Sequence, residues 1–340
     1  MKPRIALDAM GGDFAPANTV AGALMAAREL GSQVVLVGRQ DEIEKELKKH
    51  SRVPDTVTIV HASETVSMDE SPAAALRRKK DSSLRVAANL VRDGGADALV
   101  SAGNSGAVMA TAMFVLGTVS GVDRPALAAV VPNLKGTTVW LDVGANVDSK
   151  PQHMLQWAIM AHIYAKNLLR IASPRVGLLS NGEEAGKGND AVKETFKLLQ
   201  ESRINFIGNV EGHDIFDGSA DVVVCDGFTG NVSLKAVESA TETLFHFLRQ
   251  EFSRSWRTRL GYVLSRPAFK GFKKRVDYAE FGGVPLLGVK GTTIISHGRS
   301  SPRAIRNALR VAGEAVESGV NEQIRKEIEE SSHGMRSVTA

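Results

Sequence analysis

One piece of grammar, repeated four times, limits what this chain can fold into. "LDAMGGD" (7–13), "VSAGNSG" (100–106), "LDVGAN" (141–146) and "VCDGFTGN" (224–231) each lead from an apolar run into a helical pattern through glycine and small polar residues. Strand, tight turn, helix is the unit of a parallel sheet, because parallel neighbours need a crossover between them. The apolar runs at 4–8, 33–38, 56–62, 96–102, 126–132, 137–143, 175–180, 205–210 and 220–226 predict nine strands. Helical patterns fill 17–30, 40–50, 83–93, 105–117, 151–169, 190–202, 230–252 and 302–330. Strands apolar on both faces, alternating with helices, predict a largely parallel sheet covered on both sides. The expected fold class is therefore α/β, a three-layer αβα sandwich. One domain is expected over residues 1–330, with a helical excursion at about 245–290 and a frayed tail at 331–340.

The four joints also carry the chemistry. Ligands of parallel sheets bind at the carboxyl ends of the strands, where helix N-termini present free N–H groups and a positive dipole end. Glycine lets the backbone approach an oxyanion, and Gly11, Gly12, Gly103, Gly106 and Gly230 stand at these turns. Ser105 and Thr229 add hydroxyls, and Asn104 and Asn231 add amides. None of the joints reads GxxxxGK[ST] or GxGxxG, so a phosphate-sized anion suits them better than a nucleotide. Any single joint is also explained as a turn; four of one polarity can open on one edge. Asp8, Asp13, Asp142 and Asp226 sit awkwardly beside an anion and are read as acids that hold loops. In "NGEEAGKGND" (181–190), Lys187 precedes a helix start, where a cation is unfavourable unless an anion is close. It is a candidate ligand for phosphate or an oxyanion; the alternative is a solvated lysine tethered to Glu183 or Glu184.

Composition removes other classes. A single cysteine, Cys225, rules out an intrachain disulfide and a multi-cysteine metal site, and points to a reducing cytoplasm. The eight histidines show no HExxH pairing, and His153 and His162 are nine apart in one helix. No metal and no cofactor are expected. His213 and His297, in loops near glycine, are the only histidines with a catalytic reading. No apolar run approaches the roughly 18 residues of a spanning helix, and the N-terminus runs directly into a strand pattern rather than a secretory leader. A net charge of +4 is mild and argues against a nucleic-acid partner.

That charge is concentrated. Residues 252–276 contain no acid, and Arg257, Arg259, Lys270, Lys273 and Lys274 alternate there with Leu260, Val263, Leu264 and aromatics. The pattern predicts a basic amphipathic helical hairpin turning near "SRP" (265–267). Three readings stay open: an anionic membrane surface, an acidic partner protein, or a dimer interface. "LRRKKDSS" (76–83) is a second basic cluster, either a solvated helix face or a docking site.

The joints, together with "ESPAAALRRKKDSSL", "GVDRPALA", "LDVGANVDSKPQHMLQWAIM", "SPRVGLLSNGEEAGKGND" and "NFIGNVEG", strongly resemble the PlsX family of phosphate acyltransferases, collinearly from about residue 4 to 325. The chain departs from that pattern at Ser180-Asn181, where the asparagine stands one position later. The resemblance implies transfer of a long-chain acyl group from acyl carrier protein, which is strongly acidic, to inorganic phosphate for bacterial phospholipid synthesis. It implies a fold like those of isocitrate and isopropylmalate dehydrogenases and phosphotransacetylase. It further implies a cytoplasmic homodimer peripherally bound at the inner face of the membrane, feeding a glycerol-3-phosphate acyltransferase. Read with it, Lys187, Asn104, Ser105 and Asn231 become the catalytic candidates. Gly11, Gly12, Gly103, Gly106, Thr229 and Gly230 become the phosphate and oxyanion donors. A dehydrogenase of the same fold class and a membrane-surface scaffold remain the competing functions.

Overall fold

The computed structural model describes residues 2–276 and 282–336, the side chains of 273–276 and 331–336 excepted. In chain order the first half comprises β1 (Arg4–Asp8), α1 (Ala17–Leu30), β2 (Gln33–Gly38), α2 (Gln40–Leu47), β3 (Val57–His61), α3 (Pro72–Arg78), α4 (Ser83–Arg92), β4 (Ala98–Ser101), α5 (Ser105–Val115), β5 (Ala126–Leu127), β6 (Ala129–Pro132) and β7 (Thr137–Leu141). The second comprises α6 (Pro151–Asn167), β8 (Val176–Leu179), α7 (Asp190–Gln200), β9 (Phe206–Val210), α8 (Asp214–Asp217), β10 (Val222–Val224), α9 (Gly227–Ser253), α10 (Trp256–Val276), β11 (Val284–Leu287), β12 (Thr292–Ile295), α11 (Pro302–Glu317) and α12 (Val320–Arg336).

The strands form two sheets. The first has the order β3-β2-β1-β4-β12-β11-β5, with only β11 running against its neighbours. The second is β6-β7-β10-β8-β9, with only β6 antiparallel. Ala128 links them, and the Val143 N–H donating to Leu127 O stitches β7 to the end of β5. The alternation along each strand explains the layers. Ile5 and Leu7 face α1 and α11 with Leu24, Ile305 and Leu309, while Ala6 faces the other side with Leu99. Val139, Leu141, Val222 and Val224 face α6, where Trp157 and Tyr164 are buried. The third core, holding Ala6, Leu99, Trp140, Val223 and Ile295, is shared by both sheets. The αβα sandwich expected from the strand pattern is what forms.

Several details differ from the sequence reading, among them α3, which no expected helical pattern covered. The run 126–132 breaks at Ala128, where the chain changes sheets. β11 and β12, four residues each, are too short to register as periodic runs; β11 lies at the end of the expected excursion and β12 just beyond it. The hairpin turns at Arg254-Ser255, not at 265–267; Pro267 lies inside α10. The last helical pattern divides at Gly319, whose φ of 64° ends α11, and α12 runs to Arg336, into the stretch expected to be a tail.

Candidate active site

The four joints assemble as two pairs, because β1 lies beside β4 and β7 beside β10. In the first pair, buried Asp8 accepts from the Ser101 hydroxyl (2.8 Å) and the Met10 N–H (3.2 Å). Burial pushes its carboxyl above the usual range against the pull of these donors. Ser101 Oγ accepts from the Gly103 N–H (3.1 Å), and the Gly11 N–H turns back to Asp8 O (3.4 Å). Gly12 takes a φ of 109°, and a Cβ there would lie 3.0 Å from Gly298 O. The joint is closed by the Asp13 N–H donating to Gly298 O (2.8 Å).

These contacts set α5. Asn104 is its N-cap: Oδ1 accepts from the Ala107 N–H (3.1 Å), and Nδ2 donates to the carbonyls of Met68 and Glu70 (2.9 Å each). The amide is fully engaged, so Asn104 positions the helix rather than donating to a ligand, a correction to its expected role. Gly11 and Gly103 have likewise given their N–H groups to the joint. What stays open is the helix end itself: Ser105 is exposed, and among the described residues nothing accepts from the N–H groups of Ser105 and Gly106. A helix end with a neutral cap and free donors attracts an anion.

The second pair is filled. Asp142, fully buried, accepts from the N–H groups of Leu127 (3.0 Å), Gly144 (3.2 Å), Ala145 (3.0 Å) and Asn146 (2.7 Å) and from Asn146 Nδ2 (2.9 Å). Burial raises its pKa against these donors. Asp226 caps α9, accepting from the Thr229 N–H (2.9 Å) and hydroxyl (2.7 Å). The Gly227 N–H donates to Asn146 O (3.0 Å), and the Gly230 N–H to Asp226 O (2.9 Å). Thr229 and Gly230, expected as anion donors, are therefore occupied by the protein's own oxygens, because a carboxylate already sits at this helix end. Asn231 differs: its amide packs against Gly144, and no hydrogen bond engages it among the described residues.

Two further loops reach the same edge of the sheets. After β8, Asn181 Oδ1 accepts from the Gly188 N–H (2.9 Å), and Lys187 is exposed; among the described residues its ammonium has no carboxylate partner, so the alternative reading, a tether to Glu183 or Glu184, does not form. Glu183, His213 and Asp214 bring ligand atoms within 4.8 Å of one another, but Asp214 already accepts from the Glu211 N–H and the Ser219 hydroxyl. After β12, "SHGRS" (296–300) forms a fifth joint. Its Ser296 N–H donates to Ser101 O (2.8 Å), and His297 Nδ1 accepts from the Arg299 N–H (3.1 Å). Burial raises the Glu238 carboxyl on α9 above its usual range, against the pull of His297 and Lys235. Sequence reading passed over this joint because its strand is only four residues long, although the glycine and serine turn before Pro302 follows the same grammar.

Residues 3–323 match the family described as fatty acid synthesis protein. The chain belongs to this family. Within it, the chain is 54% identical over 326 residues to a phosphate acyltransferase of Pelotomaculum thermopropionicum, covering 96% of this chain and 95% of that one. It is 52% identical to a phosphate acyltransferase of Geobacter sulfurreducens, covering 96% and 94%. Among solved structures, EutD phosphotransacetylase from Staphylococcus aureus superposes with a TM-score of 0.59 at 16% identity, over 93% of this chain and 94% of that one. A phosphotransacetylase from Streptococcus pyogenes gives 0.59 at 18%, with the same coverage. At that identity the likeness concerns the fold alone. The family read from the motifs is thus borne out.

In this member of the fatty acid synthesis protein family, α9 and α10 project from the sandwich. Of the 27 residues of α9, only Gly227 and Gly230 are buried. Phe252, Tyr262 and Phe269 clasp the two helices together. Leu260, Val263 and Leu264 are exposed, Trp256 is 71% exposed, and Arg257 and Arg259 stand among them. Lys270 is exposed lower on α10; the side chains of Lys273 and Lys274 lie outside the described residues. No described helix is long and apolar enough to cross a membrane.

Proposed function

We propose that the chain is a phosphate acyltransferase. It moves a long fatty acyl group from acyl carrier protein to inorganic phosphate, within phospholipid synthesis. The family supports transfer to phosphate, and the open N-terminus of α5, capped by neutral Asn104, carries the assignment of the phosphate site. Hydrogen phosphate is already an anion and a nucleophile, so no Ser-His or Cys-His pair is required. Held against the thioester carbonyl by the Ser105 and Gly106 N–H groups and the Ser105 hydroxyl, a phosphate oxygen attacks the carbon. The C–S bond breaks as the acyl C–O bond forms, and the phosphate proton ends on the departing thiol. Positioning and charge stabilisation supply the rate. Lys187 and the Asn231 amide, from the second sheet, are assigned to the developing negative charge. Arg299, at the β12 joint, is the added cation of the first sheet's edge.

The α9–α10 hairpin is assigned to an anionic membrane surface, with homodimer packing along its lower part. Four large apolar side chains exposed among arginines suit an interface between water and lipid. Replacing Leu260 and Val263 with Glu should abolish liposome binding while leaving the fold intact; unchanged binding would leave the dimer as the sole role of this face.

The deciding assay measures carrier-thiol release from a long-chain acyl carrier protein thioester with and without phosphate. Phosphate-dependent release, with an acyl phosphate trapped by hydroxylamine, is the expected outcome. Release that ignores phosphate would overturn the assignment.

A further inference from the structure

Resting on the acyltransferase reading, we infer that the acidic carrier docks on the corner formed by α3 and the start of α4, through Arg77, Arg78 and Lys80. All three are exposed, and among the described residues none has a carboxylate partner within salt-bridge distance. The neighbouring charges are turned inward. Lys79 pairs with Glu70 at 2.6 Å and donates to Thr65 O, and the Asp81 carboxylate takes the Ser63 N–H and hydroxyl. These contacts hold both acids below their usual pKa range, so they stay ionised but engaged. The corner is left as an unbalanced cationic surface. At its edge the Arg85 guanidinium lies 4.9 Å from the ring centroid of Phe114, an exposed aromatic that suits the apolar side of an amphipathic acidic helix.

Distance favours this corner over the other basic surface. Pro72, the first residue of α3, packs on the open end of α5: a Cβ on Gly106 would lie 2.8 Å from its Cγ. Seven helical residues place Arg78 roughly 10 Å further on. A pantetheine arm has the reach of about five extended residues, roughly 18 Å. It can bridge from a carrier on α3 to the Ser105 N–H. The cations at the hairpin tip lie at the far end of a 27-residue helix, roughly 40 Å from its base. A carrier held at that tip would stand more than twice the arm's reach from the base of α9.

The test is the variant Arg77→Glu/Arg78→Glu/Lys80→Glu, assayed with acyl carrier protein thioester and with the acyl-pantetheine thioester, which lacks the carrier. The expected result at low salt is a KM for the carrier substrate raised roughly tenfold or more, with kcat little changed. Turnover of acyl-pantetheine should move less than about twofold, which also shows that the variant is folded. The salt dependence of the carrier KM should flatten in the variant. An unchanged carrier KM would overturn the proposal. So would an equal loss with acyl-pantetheine, or the same KM rise in Arg257→Glu/Arg259→Glu. If wild-type protein shows no phosphate-dependent release from either donor, the acyltransferase reading itself fails. Calorimetric titration with unacylated carrier then decides docking separately: weaker binding by the variant supports the corner, and equal binding rejects it.

Discussion

The β1/β4 and β7/β10 joints begin from the same grammar and end with opposite electrostatics. In the first pair the buried acid, Asp8, holds its own turn and Ser101 at the end of β4, and the helix beyond β4 is capped by neutral Asn104. In the second, Asp142 gathers five donors and Asp226 places a second carboxylate on the helix end. One helix end remains an anion site, and the other has been filled by the protein's own anion. The lesson is that an acid at a strand end says little until its donors are counted. The helix end that stays open follows the one joint of the four without an acid, 100–106, and the filled one follows Asp226.

The sharpest way to break this contrast is Gly230→Ala. A Cβ there would lie 1.9 Å from Asp142 O, a backbone atom that cannot move aside. The expected loss is about 3 kcal/mol or more in denaturant unfolding. Gly106→Ala meets the Pro72 ring at 2.8 Å and Asn104 Oδ1 at 3.4 Å, both side-chain atoms, and should cost less, about 1–2 kcal/mol. Equal costs would mean that the two joints are alike in rigidity. Next in size, Lys187→Ala should lower kcat by roughly 10- to 100-fold with an unchanged melting temperature; unchanged turnover would leave the second sheet without a charged role. Ser105→Asp turns the open end into a likeness of the filled one. Its carboxylate suits the helix dipole and should raise stability by roughly 0.3–1 kcal/mol. It should also raise the phosphate KM roughly tenfold, through repulsion at close range. Opposite signs in the two readouts sharpen the contrast, and a phosphate KM left in place would remove the anion from α5.

The smallest effect separates the halves by pH. Burial holds His153 and His162, both on α6 behind the second sheet, below the ordinary imidazole value of 6.5. They are neutral in the fold and protonate more readily when unfolded. Their contribution is therefore full above about pH 6.5 and lost as pH falls through the depressed folded values. Below pH 6.5 the melting temperature of His162→Gln should therefore fall less steeply than that of the wild type. An identical slope would place the acid sensitivity elsewhere.

The parallel sheet, the covering helices and the family were legible because each rests on local pattern: apolar runs on both strand faces, glycine at strand ends, and motifs long enough to be distinctive. The hairpin was legible in composition but not in its turn. Nothing local tells a proline inside an amphipathic helix from one that ends it, and the Phe252–Tyr262–Phe269 contact holds α10 through Pro267. The β12 joint was missed because four residues carry too little periodicity; its place between β4 and β11 is a long-range fact.

By itself the sequence determined the layers, the polarity of the joints and the residue types available at the sheet edge, since these follow from side-chain periodicity and backbone freedom. Only the tertiary structure decided which donors were left over. Asn104 lost its amide to Met68 and Glu70, Thr229 lost both donors to Asp226, and Ser105 kept its own. Asp226 is a local cap three residues from Thr229, but the carbonyls that take up the Asn104 amide lie more than thirty residues away, which no local pattern reveals.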